Sequence, residues 1–235
     1  MNVIEILDNI IRGFIACWPF FIVLISIYVF KYLPYVIKYL KSNYKKESNV
    51  NLLNYLINIG TFGEGLTFFE LEKLPFYSKI MCNLYIPTED GTTEIDLIYI
   101  CPFGIYVIEN KNYSGLIFGN EKSKEWTSVI YKTKHKFFNP IWQNKNHIKY
   151  LNMILKNKEL KSMIVFSKRC QLKFISSIVI KRGEIKNIIL NNCHNIIYIN
   201  EEIDDIYSTL KQFANKTKEE KKKHVDFVNN KITKK

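Results

Sequence analysis

The sequence predicts an α/β sandwich carried behind one membrane-spanning helix. Three observations lead there. An unbroken apolar run occupies residues 14–30, three β-rich segments follow one another between residues 80 and 109, and helix-patterned segments flank that meander on both sides. Helices placed before and after a run of strands make layers of helix on sheet, not an all-β fold or a bundle. At 235 residues and 27.9 kDa the chain has room for one compact domain with appendages.

The run 14–30 is apolar, aromatic or small throughout, bounded by Arg12 and Lys31. A spanning helix needs about 17–25 such residues. Glu5 and Asp8 at the start and the lack of an Ala-x-Ala site argue against a cleaved signal peptide. Apolarity on every face argues against a buried core helix. Pro19 lies inside the run, where a membrane helix tolerates it. Pro34 beyond it argues against an uninterrupted helix through the juxtamembrane stretch. Lys31, Lys38, Lys41, Lys45 and Lys46 follow the run against Arg12 alone before it, so the positive-inside rule predicts a single-pass cell-membrane protein whose C-terminal side faces the cytoplasm. Tyr28, Tyr32, Tyr35 and Tyr39 suit the headgroup level.

Beyond this anchor, helical spacing is read over residues 50–59 and again over 64–74, with Gly60 and Gly63 interrupting them. Strands follow at 80–86, 94–100 and 105–109, separated by turn residues at 88–92 and 101–104. Residues 126–131 form a further short strand. Asn139 and Pro140 open a helix reaching about residue 155, Pro being suited to a first turn. Strands are predicted at 163–167 and 174–180, an amphipathic helix at 201–213, and a charged, helical tail over 216–235. The domain reading is an anchor and juxtamembrane segment at 1–47, a folded α/β domain at 48–200, and a C-terminal amphipathic helix with a basic tail at 201–235.

Composition excludes several classes. With 47% hydrophobic and 14% aromatic residues, 9 Gly and 6 Pro, the chain is neither collagen-like nor largely disordered. A net charge of +12 favours polyanionic partners. Heavy use of Lys, Asn and Ile is also the mark of an AT-rich genome, so charge alone identifies no partner. The five cysteines contain no Cys-x-x-Cys pair, and neither they nor the four histidines show metal-ligand spacing. They read as reduced, mostly buried thiols. No HExxH or phosphate-cradling glycine loop is present.

The chemistry lies in two strands. Alternation puts Asp96 on one face with Glu94, Ile98 and Ile100, and a carboxylate amid apolar strand residues is costly to bury without a reason. In the next strand Glu109 and Lys111 share a face, with Asn110 on the other. If the two strands are antiparallel neighbours, Asp96 comes within reach of Glu109. Two converging carboxylates suit Mg²⁺, a hard cation that prefers oxygen ligands, and an ammonium beside them orients an attacking water and neutralises transition-state charge. Each residue alone also has an ordinary reading. Glu-x-Lys is a common surface ion pair, Asp96 caps a turn or pairs with Lys111, Glu64 is a first-turn helix acid, and Gln143 with His147 forms a solvated helix face.

Taken in order, these residues resemble a known family. Gly60, Gly63 and Glu64, then Glu94 and Asp96, then the stretch 103–115 (Phe-Gly-Ile-Tyr-Val-Ile-Glu-Asn-Lys-Asn-Tyr-Ser-Gly), then Trp126, then Asn139, Pro140, Trp142 and Gln143 resemble the nuclease-related domain, or NERD, family over roughly residues 60–155. That family is similar to the PD-(D/E)xK nucleases of restriction-endonuclease-like fold, a mixed sheet flanked by helices. The resemblance implies Glu64 as a helix-borne acid, Asp96 and Glu109 as ligands of Mg²⁺ or Mn²⁺, Lys111 as the catalytic lysine and Gln143 as a polar helix residue of the site. Leu97 stands where the family often has His.

The function expected from this is a membrane-anchored, Mg²⁺-dependent nuclease hydrolysing phosphodiester bonds, in DNA more than RNA. Asn112, Tyr113, Lys132, Lys134 and Lys136 are candidates for backbone contact, the lysines falling in a basic stretch that is equally a solvated edge. The competing expectation is an inactive membrane-associated module of the same fold that binds nucleic acid or protein.

Overall fold

The computed structural model describes residues 3–156, 158–214 and 226. The predicted tail at 216–235 lies outside the described residues apart from that one position. The chain divides into two units, the first ending at Ser42 and the second starting at Asn43.

The first unit is a single helix, α1 (Val3–Lys41), of 39 residues. Its most apolar 18-residue window has a mean hydropathy of 2.3 and none of that window is buried. By length and composition it can cross a membrane. At 1.5 Å per residue it is about 58 Å long, against roughly 30 Å of bilayer hydrocarbon. The helix passes through both Pro19 and Pro34. The break expected at Pro34 does not occur, because proline removes one N–H from a long ladder and its fixed φ is itself helical.

In the second unit, α2 (Tyr44–Ser48) and α3 (Leu52–Ile57) lead into α4 (Ile59–Glu72). The side chains of Asn51 and Asn58 cap α3 and α4 by accepting the N–H groups of Asn54 and Thr61. Gly60 and Gly63 lie within α4, so the expected interruption is corrected here. A Cβ on Gly63 would stand 2.5 Å from Cβ of Asn112, and one on Gly65 would stand 2.6 Å from the Tyr55 ring. Close packing of α4 therefore outweighs the poor helix propensity of glycine.

The main sheet takes the order β1-β2-β3-β7-β9, from β1 (Lys79–Thr88), β2 (Gly91–Cys101), β3 (Gly104–Lys111), β7 (Leu160–Phe166) and β9 (Val179–Lys181). The first three strands form an antiparallel meander, and β7 and β9 add in parallel. A second sheet, β6-β5-β4-β8, is built from β4 (Gly115–Phe118), β5 (Glu125–Ile130), β6 (Thr133–Phe138) and β8 (Cys170–Leu172). The parallel pair β3 and β7 continues across the bend as the parallel pair β4 and β8. Ser167 fastens that bend, its N–H donating to the Lys111 carbonyl and its hydroxyl to that of Tyr113. The mixed α/β architecture, two mixed sheets flanked by helices, agrees with the expected class. The strand expected at 174–180 shrinks to Val179–Lys181, and β4, β6 and β8 were not anticipated.

One face of the main sheet buries Ile98, Ile100, Ile105 and Val107 against Leu151 of α5 (Pro140–Ile154), Leu155 just after it, and Ile203, Ile206 and Leu210 of α7 (Asn200–Lys211). The opposite face meets α4, whose Thr67 hydroxyl donates to the Asn110 side chain at 2.6 Å. A short turn (Arg182–Glu184) and α6 (Ile185–Asn191) complete the chain between β9 and α7.

Candidate active site

The antiparallel ladder between β2 and β3 ends at the pair Leu97 and Ile108. Asp96 and Glu109 are the next residue on each strand, so the register sets them across from one another where main-chain pairing stops. Asp96 Oδ2 accepts the Asn110 N–H at 2.8 Å, taking up a donor that the departing ladder releases. The side chain of Asn110 points to the opposite face, as alternation requires, where Thr67 donates to it and Arg182 Nε in turn donates to Thr67 at 3.0 Å.

Glu109 is 1% exposed, and both its oxygens are held. Lys111 Nζ lies 2.6 Å from Oε1, and His147 Nε2 lies 3.1 Å from Oε2. Lys111 also donates to Gln143 Oε1 at 3.1 Å, so α5 contributes one contact to each member of the pair. The other ring nitrogen of His147 is 2.8 Å from Thr93 Oγ1. The ring of His147 thus bridges Glu109 and Thr93.

The electrostatics separate the two carboxyls. Burial pushes Asp96 well above the usual range, and the charges of Glu109 and Glu64 push it further, against opposition from Lys111 and the Asn110 N–H. Burial also acts on Glu109, but Lys111 and His147 outweigh it and hold that carboxyl below its usual value. Lys111 is desolvated yet held cationic by Glu109 and Asp96. Glu64, from the middle of α4 and not its first turn, therefore belongs to the same field. Three carboxyls, Glu109 buried and Asp96 and Glu64 half-buried, thus share one ammonium.

A donor set of carboxyl oxygens in excess of ammonium fits a hard divalent cation. Among the described residues no three His, Cys, Asp or Glu side chains gather tightly enough to enclose an ion. The chain offers the two oxygen-donor residues Asp96 and Glu109, the number with which Mg²⁺ is commonly held while water and phosphate oxygens complete its shell.

Of the residues singled out from sequence, Asp96, Glu109, Lys111 and Gln143 come together, while Glu64 on α4 reaches them through the charge it exerts on Asp96. Asn112 and Tyr113 follow directly but are used in packing: Asn112 donates to the Ile59 carbonyl and accepts from Arg169, and the Tyr113 ring lies 4.6 Å from that of Phe137. Lys132, Lys134 and Lys136 are exposed on and beside β6, Lys136 pairing with Glu125 at 3.3 Å. His147 is the residue the sequence reading misplaced. Expected on a solvated face, it is 4% exposed and grips Glu109. Its signal was the stripe Pro140, Asn144, His147 and Leu151, the four buried positions of α5, spaced as one helix face.

The model of the nuclease-related domain matches residues 59–167, the segment that contributes all of these side chains. An uncharacterized protein of Bacillus anthracis is 34% identical over 182 residues, covering 74% of this chain and 86% of its own length. The chain belongs to the nuclease-related domain family. No solved structure matches it. Within the nuclease-related domain the matched segment starts at the first residue of α4 and ends one residue past β7, so it spans the helix, strands and helix that meet at Glu109.

Proposed function

We propose that the protein is a membrane-tethered, Mg²⁺- or Mn²⁺-dependent nuclease that hydrolyses phosphodiester bonds, DNA being favoured over RNA as substrate. The observation that carries this is the grip on Glu109, one oxygen on Lys111 and the other on His147, beside the half-buried carboxyl of Asp96. Asp96 and Glu109 would hold the cation. When bound, it supplies Lewis acidity and charge neutralisation at the phosphodiester. Lys111, held at its distance by Gln143, orients the attacking water and faces the negative charge that grows on the phosphoryl oxygens. His147 fixes the Glu109 carboxylate, and the Asn110 N–H fixes that of Asp96. Glu64 adds negative charge that raises affinity for the cation. Lys132, Lys134 and Lys136 draw the phosphate backbone to the second sheet without reading sequence.

The helix Val3–Lys41 supports the tether, and the basic residues after its apolar run support a cytoplasmic catalytic unit. A tether of that kind places the enzyme beside nucleic acid entering at the cell surface.

A second reading draws on the same geometry. Because Lys111 and His147 already occupy both Glu109 oxygens, the pair also suits a structural ion pair in a binding module without catalysis. The test is cleavage of DNA and RNA by the detergent-solubilised chain with Mg²⁺, with Mn²⁺ and with EDTA, beside Glu109→Ala and Lys111→Ala. Metal-dependent cutting lost in both folded variants is the expected result. Metal-independent binding with no cutting, unchanged in Glu109→Ala, selects the binding module.

A further inference from the structure

The β5–β6 hairpin carries an aromatic side chain that the fold itself does not use. Ile130 pairs with Thr133, which leaves Tyr131 and Lys132 as a two-residue turn. Tyr131 is 99% exposed, the whole ring standing in water. Its φ is +53°, in the left-handed region where Gly or Asn is the inexpensive choice and a bulky aromatic is an outlier. Neither burial nor backbone geometry accounts for tyrosine at this tip.

Its surroundings say what would meet it. Across residues 122–138 stand five lysines and one acid, Glu125, which Lys136 pairs. At the other end the hairpin is fastened close to the active site. The Tyr113 ring, two residues after Lys111, lies 4.6 Å from Phe137 and 6.3 Å from His135, and Trp126 lies 6.2 Å from Phe137. From Phe137 to Tyr131 is six strand residues, about 20 Å at strand rise. That is about six base steps. The tip therefore addresses nucleotides flanking the reacting phosphate, not the reacting one.

We propose that Tyr131 is a stacking platform for an unpaired base, with Lys132 and Lys134 beside it on the phosphates, so that the hairpin selects single-stranded or frayed nucleic acid. This rests on the nuclease-like reading of the site and narrows its substrate class. A planar ring in a basic setting recognises the π-face that every base shares, which an intact duplex hides within its stack.

The test measures binding by fluorescence anisotropy, using the full chain in detergent with EDTA. The probes are a fluorescein-labelled 20-nucleotide single strand, the same strand with abasic sites throughout, and a blunt 20-base-pair duplex. Tyr131→Gly should weaken binding of the base-bearing strand about tenfold. It should leave the abasic strand and the duplex within about twofold, with the melting temperature no lower than the parent's, since Gly relieves the turn. Tyr131→Trp should restore binding, and Tyr131→Asn, which suits the positive φ but cannot stack, should not. Unchanged single-strand binding in Tyr131→Gly, or an equal loss on the abasic strand, overturns the proposal while leaving the nuclease reading in place. If the parent binds none of the three probes, the nucleic-acid reading itself fails and the proposal falls with it.

Discussion

His147 offers the sharpest test of how the site is held together. It is almost wholly buried and spans two partners, Thr93 Oγ1 at 2.8 Å and Glu109 Oε2 at 3.1 Å. In His147→Ala both partners stay buried and lose their hydrogen bond. A bond to a charged group contributes about 1.5–3 kcal/mol and a neutral one about 0.5–1.5, so the variant should lose about 2–4 kcal/mol before any void left by the ring is counted. For a domain of this size each kcal/mol moves the melting temperature by about 2–4 °C, so a fall of about 5–15 °C is expected. Near-ultraviolet circular dichroism of the detergent-solubilised chain reads it directly. On the proposed metal-dependent nuclease, cleavage should fall by about 10–100-fold, the usual cost of losing an outer partner of a ligand residue. His147→Gln, whose amide still reaches Glu109 but not Thr93, should recover about half of the stability. A His147→Ala chain that melts within 2 °C of the parent and cuts at the parental rate would refute this account of the site.

Gly63→Ala would raise stability by about 1 kcal/mol on helix propensity alone, but the new Cβ would lie 2.5 Å from Cβ of Asn112 and 3.0 Å from Asn110 Nδ2. Overpacking of that kind costs about 1–3 kcal/mol, so urea unfolding should show no gain in stability and in most of that range a loss, with cleavage impaired because α4 and β3 are forced apart. Burial pushes Glu70 up, but Lys73 at 3.2 Å and Lys168 at 3.5 Å outweigh it and hold its carboxyl below the usual range. A depressed acid stabilises above its unfolded pKa and loses that contribution as pH falls through its folded value, so Glu70→Gln should be less stable than the parent by up to about 1 kcal/mol at pH 7. Melting curves of the two should converge below about pH 4. Removal of residues 1–42 should release the chain from alkaline-washed membranes, where the full chain stays; release of both would refute the anchor.

The strands that carry the site were legible because their code is short. A period of two puts Glu109 and Lys111 on one face whatever the rest of the chain does, and the turn at 101–104 leaves β2 and β3 no partner nearer than each other, which fixes Asp96 opposite Glu109. Glu64 and Gln143 came only with the family resemblance, since a lone acid or amide on a helix has no local signature. The buried role of His147 was hidden because a polar stripe on a helix reads as solvent-facing unless the sheet beneath it is also polar, and α5 crosses the main sheet where Glu109 interrupts its apolar surface. The errors in α4 have the opposite cause. Two glycines within four residues signal a break, and only contact with Asn112, 49 positions further along the chain, explains why the helix runs through the first and keeps the second. β8, three residues long, has no pattern to detect; its place follows from β7, which it extends into the second sheet.

The placement of β3 also sets when the site is put together. One neighbour, β2, precedes it in the chain, and the hairpin between them closes as soon as β3 is made. Its other neighbour, β7, starts at Leu160, roughly 50 residues later, or some 3–10 s of synthesis. Until then the strand bearing Glu109 and Lys111 has a bare edge, and Gln143 and His147 arrive only partway through that interval. The site therefore stays unassembled for several seconds after Glu109 and Lys111 have been made, until almost the whole described fold has been translated.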